Sequence, residues 1–213
     1  MDPSITSNNY NKVANWWNAN QRESNYGMEQ LKRAIKYCER KYNALDVGCG
    51  VGGRVINELE KNGFEVLGID MSPRMIELAK LNHPNNEFIN QEITKWSTSQ
   101  KFDFIIAWDS IFHLETKLQA PTIKKLCSLL NPDGIIVYTF GDSIGDIEDM
   151  SFQDKNGGQL GELENDLFGY GSIGINGNLR TLIKCGCKIM HMQLDQYPLN
   201  HVYVIGKKER MED

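Results

Sequence analysis

The sequence contains no apolar run near the ~20 residues that a helical membrane span requires, so no membrane segment is expected. Its opening stretch, MDPSITSNNYNKVANWW, lacks a basic start and an apolar block. No signal peptide or anchor is read there, and a cytoplasmic location is expected. Cysteines are few and unpaired in pattern: five, an odd number, with no CxxC. That usage suits a reducing compartment and argues against a disulfide framework and a structural zinc site, so no metal is expected. An excess of positive charge is also missing, with 23 lysines and arginines against 28 aspartates and glutamates and a net charge of −5. Nucleic acid is therefore not expected as a partner, because phosphate binding needs a basic footprint. The 213 residues suffice for one domain with a full core.

What is present, from Asn43 onward, is an alternation of short apolar runs with amphipathic stretches, the pattern of a parallel sheet with helices on both faces. NALDVG reads as a first strand. After its glycines, Val51, Val55, Ile56 and Leu59 recur at helical spacing until Gly63. EVLGID is a second strand, and Ser72-Pro73 supplies an N-cap and a first-turn proline for the helix that follows. EFIN, FDFIIAW and GIIVYTF continue the series, with a helix through Ile123, Leu126 and Leu130 ending at the NPDG turn. KIMHMQL and HVYVIGK then flank the connection DQYPLNH, which is too short for a helical crossover, so these last two strands are antiparallel.

Two segments lie outside the alternation. Residues 1–42 read as a helical lead-in that covers the core, with Tyr10 and Tyr26 as candidate cover residues and the Trp16-Trp17 pair as core or helix-packing surface. Residues 141–172 are glycine-rich and loop-like, carrying eight acidic side chains against one lysine. They are long enough for a lid, with Tyr170 near its end, and their charge favours a cationic or amine ligand. Residues 173–213 form the closing helix and hairpin.

In an open α/β sheet, ligands bind beyond the carboxyl ends of the strands, where strand order reverses. Gly48, Gly50 and Gly52 stand in the first such turn, and the next helix start offers free N–H groups. Asp70 ends the second strand, where a carboxylate can accept both hydroxyls of a ribose. A nucleoside-bearing ligand follows. Its identity stays open on these residues alone, since Gly48, Gly50 and Gly53 also satisfy the dinucleotide spacing GxGxxG.

The closing hairpin and five ordered motifs make the chain resemble the class I S-adenosylmethionine-dependent methyltransferases. LDVGCGVGG is similar to that family's first motif, VLGIDMS to its second and INQEITKW to its adenine-edge segment, with FDFIIAWDSIFHL and LLNPDGIIVYTF around strands four and five. The resemblance implies a Rossmann-like, seven-stranded, mostly parallel sheet with an antiparallel last strand, a cofactor-binding core over residues 43–140, and S-adenosyl-L-methionine as cofactor. It places Asp46 on the methionine part of the cofactor, Gly48, Cys49 and Gly50 in the turn beneath it, Asp70 on the ribose, Met71 beside the adenine, and Glu92 and Ile93 at the adenine edge. Trp108 then walls the methyl end. Methyl transfer is an in-line displacement in which the protein holds three atoms in line and excludes water. The expected acceptor is a small molecule, with a protein or RNA substrate, or a cofactor-binding module without turnover, as alternatives. A base is needed for a hydroxyl or ammonium acceptor, and His113 leads, with Asp109 and His201 as alternatives, because imidazole titrates near neutral pH. Asp195, Tyr197 and His201 belong to the hairpin that emerges at the same edge.

Overall fold

A computed structural model describes residues 3–141, 147–153, 167–195 and 201–210. Two helices lead in, α1 (Pro3–Asn20) and α2 (Met28–Lys36), and β1 (Asn43–Val47) opens the core. Then follow α3 (Arg54–Lys61), β2 (Glu65–Asp70), α4 (Pro73–Asn82), β3 (Glu87–Asn90) and β4 (Phe102–Ala107). A 3-10 turn at Ile111–His113 precedes α5 (Thr116–Leu129) and β5 (Leu130–Gly141). The chain continues through β6 (Ile147–Gln153), β7 (Leu167–Ser172), α6 (Gly174–Lys184), β8 (Cys187–Asp195) and β9 (His201–Lys208).

The seven-stranded sheet has the order β3-β2-β1-β4-β5-β9-β8. Pairings from β3 through β5 are parallel, and β9 runs antiparallel to both β5 and β8. This is the expected architecture, and strand order reverses between β1 and β4. Successive residues of a strand face opposite sides, so each strand feeds two cores. Ala44, Val66 and Phe104 pack with Leu31 of α2, Ile56 of α3 and Ile76 of α4. Leu45, Leu67 and Ile105 pack with Leu126 of α5 and Leu182 of α6. Helices on both faces leave β4 buried along its whole length. All five cysteines are free thiols, Cys127 and Cys187 meeting at 3.8 Å in the core. Among the described residues, no helix is long and apolar enough to cross a membrane.

Three local expectations change. The NPDG stretch does not separate helix from strand; it bulges within β5, with Asp133 at φ 66° and the β4 register jumping from Leu130 to Ile135. The segment after β4, which the sequence pattern left without an element, forms a 3-10 turn closed by His113, and α5 begins three residues later at Thr116. Within the acidic segment, β6 and β7 pair antiparallel as a separate two-stranded sheet, while residues 142–146 and 154–166 lie outside the described residues.

The lead-in is tied to α4 by polar side chains. Ser72 caps α4 by accepting from the Met75 N–H at 3.1 Å, and its hydroxyl donates to Asn11 of α1 at 2.6 Å. Asn82, ending α4, donates to Asn18 of α1 at 2.8 Å and accepts from Arg22 at 3.0 Å. Ser72→Ala removes both a cap and a tether, and is expected to lower the unfolding free energy by ~1 kcal/mol in urea titration. An unchanged midpoint would show that the cap contributes nothing here.

Candidate active site

Beyond the carboxyl ends of β1, β2 and β4, at the reversal point, lies a cavity of about 190 Å³. Its floor is the glycine turn, and its roof is α1, which contributes Thr6, Tyr10 and Trp17. The turn needs glycine for geometric reasons. At Gly48, with φ 75°, a Cβ would stand 2.5 Å from that of Ser110. At Gly53, with φ 131°, it would meet Arg22 of the α1–α2 connection at 2.6 Å.

Two carboxylates stand side by side at this floor. Asp46, 4% exposed, is pushed up to about 7, by burial first and then by the charge of Asp70, with Arg54 pulling the other way. Asp70 is also raised by burial, against hydrogen bonds from backbone N–H groups. It accepts from Gly50 at 3.0 Å and from Ser72 at 2.8 Å, so both oxygens are oriented by backbone. The Cys49 thiol is pushed up by burial and by both carboxylates, which keeps it protonated and inert.

Arg54, the first residue of α3, was not anticipated. It borders the cavity, yet its guanidinium donates to the backbone carbonyls of Tyr26 at 2.7 Å and Gln21 at 2.9 Å. Burial lowers its pKa. A cation at a helix N-terminus opposes the helix dipole, and that was the available signal in the sequence.

At the far end of β2, Met71, Gln91 and Ile93 border the cavity. Glu92 does not. Its carboxylate is held by the Thr94 hydroxyl and by Lys95, so it closes its own turn, and Gln91 takes the place on the wall.

The other end of the cavity is formed by Trp108, Asp109, Ser110 and His113. Ser110 Oγ and Trp108 Nε1 are buried without a hydrogen-bond partner. His113 Nε2 and the Tyr10 hydroxyl share a hydrogen bond at 3.0 Å, which joins the lead-in to the segment after β4. Trp17 packs on the apolar cluster of Ala14, Val51, Met75 and Leu78, as its reading as packing surface expects, and it also borders the cavity. His201 stands behind Asp109, with Nε2 at 2.7 Å from Asp109 Oδ1, and is not part of the wall. Its Nδ1 lies 3.4 Å from Asp195. Burial lowers the imidazole pKa, but the hydrogen bond and charge of Asp109, with Asp195 added, carry it above its ordinary value. Tyr197 lies outside the described residues, and Tyr170 falls on β7.

Parallel strands reversing at a glycine turn, with a strand-end aspartate in one covered cavity, define a Rossmann-like fold with its ligand crevice at the switch point. A family profile described as a methyltransferase domain matches residues 19–161, and the chain belongs to that family. It is 30% identical over 122 residues to a phosphoethanolamine N-methyltransferase of Plasmodium falciparum, covering 54% of this chain and 46% of that protein. It is 30% identical over 137 residues to a ubiquinone biosynthesis O-methyltransferase of Coxiella burnetii, covering 58% and 56%. The chain thus spans about half the length of these curated relatives. Its fold is similar to that of the N-methyltransferase NodS from Bradyrhizobium japonicum, solved with S-adenosyl-L-homocysteine. That match has a TM-score of 0.63 at 16% identity and covers 95% of this chain and 100% of the other.

The raised Asp46 makes stability depend on pH. The unfolded chain ionises this carboxyl in the ordinary carboxylate range, whereas the folded chain holds its proton up to about pH 7. Stability therefore falls as pH rises through that window. In ligand-free protein, Asp46→Asn is expected to raise stability by roughly 1–3 kcal/mol at pH 8 and by little at pH 4, read as melting temperature. An equal effect at both pH values would contradict the burial argument.

Proposed function

We propose that the chain is an S-adenosylmethionine-dependent methyltransferase that moves a methyl group to a small-molecule acceptor by in-line displacement. One observation carries this reading: a single covered cavity has the glycine turn and Asp70 at one end and Asp109 and His113 at the other. The residues fit the cofactor. Asp70, held by the N–H groups of Gly50 and Ser72, retains lone pairs for two ribose hydroxyls. Met71 and Ile93 supply apolar walls for the adenine, with Gln91 at its polar edge. Asp46 faces the methionine portion, whose ammonium would favour its ionised form.

When bound, S-adenosylmethionine supplies a sulfonium-borne methyl group whose bonding pair stays with sulfur on transfer. The protein's part is alignment and exclusion of water. Tyr10 and Trp17 close the cavity from above, and Trp108 and Ser110 limit the acceptor's position. His113, fixed by Tyr10, takes the proton that a hydroxyl or ammonium acceptor must lose. A cavity roofed by the chain's own helix supports a small acceptor over a folded protein or RNA.

The test is methyl transfer from labelled S-adenosylmethionine across a panel of small amines, phenols and alcohols, with release of S-adenosylhomocysteine as readout. No turnover on any of them would contradict the proposal. Asp70→Ala is expected to weaken S-adenosylhomocysteine binding by more than about tenfold in calorimetry, with the fold intact. Unchanged affinity would remove the ribose assignment. His113→Ala should lower kcat by roughly a hundredfold while cofactor affinity stays within about twofold. Full turnover in that variant would dismiss His113 as the base.

A further inference from the structure

We propose that the Asp109 corner of the cavity is an ammonium-binding subsite, which makes the methyl acceptor an amine, and that His201 is the positioning residue that holds Asp109 there. The inference rests on the methyl-transfer reading above and adds the acceptor's chemical class.

The first ground is backbone. Asp109 adopts φ 50°, a left-handed conformation that a non-glycine residue adopts only when its surroundings impose it. The surroundings here are specific. The Asp109 N–H donates to Thr139 Oγ1 at 2.8 Å, and the Thr139 hydroxyl returns a bond to Asp109 Oδ1 at 3.1 Å. The same oxygen takes His201 Nε2 at 2.7 Å. Asp109 borders the cavity, whereas Thr139 and His201 are not among its lining residues.

The second ground is charge. His201 is bracketed by Asp109 on one nitrogen and Asp195 on the other, and Asp195 is itself held by Gln30 of α2 at 3.0 Å. The Tyr26 hydroxyl lies 3.5 Å from His201 Nε2. Asp109 and Asp195 thus stand on either side of the imidazole, and of the two Asp109 is the one that borders the cavity. Arg54 donates to the carbonyls of Gln21 and Tyr26, and its positive charge acts on Asp109 from there.

The third ground is the wall. Trp108, 8% exposed, presents an aromatic surface next to Asp109, and its buried indole N–H has no partner. Tyr10 and Trp17 face the same space. An anion among aromatic rings suits an ammonium group, which gains from both, and repels a carboxylate or phosphate. In the transfer, the ammonium first gives a proton to His113. The amine lone pair then forms the N–C bond as the methyl–sulfur bond breaks, and that pair remains on sulfur.

The test uses protein saturated with S-adenosylhomocysteine, whose binding is measured first. Failure there would defeat the methyl-transfer reading itself. Propylammonium and its neutral counterpart 1-propanol are then titrated, with the Trp108 indole N–H resonance as reporter. Propylammonium is expected to bind at least tenfold more tightly than propanol. Asp109→Asn, whose side chain tolerates the left-handed backbone, should bring that ratio near one. His201→Ala should reduce it several-fold, and His201→Gln, which returns a donor near the Nε2 position, should restore most of it. A merely structural role for His201 would weaken both probes alike. With cofactor product bound, a wild-type ratio near one, no response to either probe, or a preference that survives Asp109→Asn would each overturn the proposal.

Discussion

Two aspartates at the ends of β1 and β2, Asp46 buried and Asp70 half-buried, each acting on the other's charge, are the constraint on which the proposed site depends. Isolated in an apolar interior, two carboxylates would not stay ionised together. Here the glycine turn brings backbone N–H groups onto one of them, Asp70, and the other, Asp46, holds its proton to about pH 7. The pair is therefore under electrostatic tension that a ligand bearing hydroxyls and a positive charge relieves. Turn, carboxylates and reversal of strand order meet at one cavity.

The lead-in supplies what the sheet lacks. A parallel sheet opens its carboxyl edge to water, and methyl transfer requires water to be excluded. Helix α1 closes that edge through hydrogen bonds from Asn11 and Asn18 and through the Tyr10–His113 contact. These polar ties are joined by a small apolar cluster in which Ala14 of α1 meets Val51, Met75 and Leu78, separate from the cores on the two faces of the sheet. The cover thus belongs to the site more than to the core, and the two ends of the cavity come from different parts of the chain.

That division explains what was legible in the sequence. The strands, the Ser72 cap and the sheet order follow from local periodicity, turn chemistry and connection length. Asp46, Gly48, Gly50 and Asp70 occupy one strand-turn-helix-strand unit, so the turn and its strand-end acid were legible from spacing and Asp46 from the resemblance. Tyr10 and His113 are separated by 103 positions and Asp109 and His201 by 92, and no local pattern pairs them. Trp17 reads as packing surface, which it is, and its second role on the cavity wall depends on where α1 lies, which no local pattern states. Glu92 was misplaced by one position along a turn, where a resemblance in residue type does not fix side-chain direction. The β6–β7 ribbon was hidden by the charge that surrounds it.

The most direct measurement of the central claim is a crystal structure of the protein grown with S-adenosylhomocysteine. The account predicts both ribose hydroxyls on the Asp70 carboxylate, the adenine between Met71 and Ile93, and the sulfur turned toward Asp109 and His113. An empty crevice, or the nucleoside seated with its sugar away from Asp70, would contradict it.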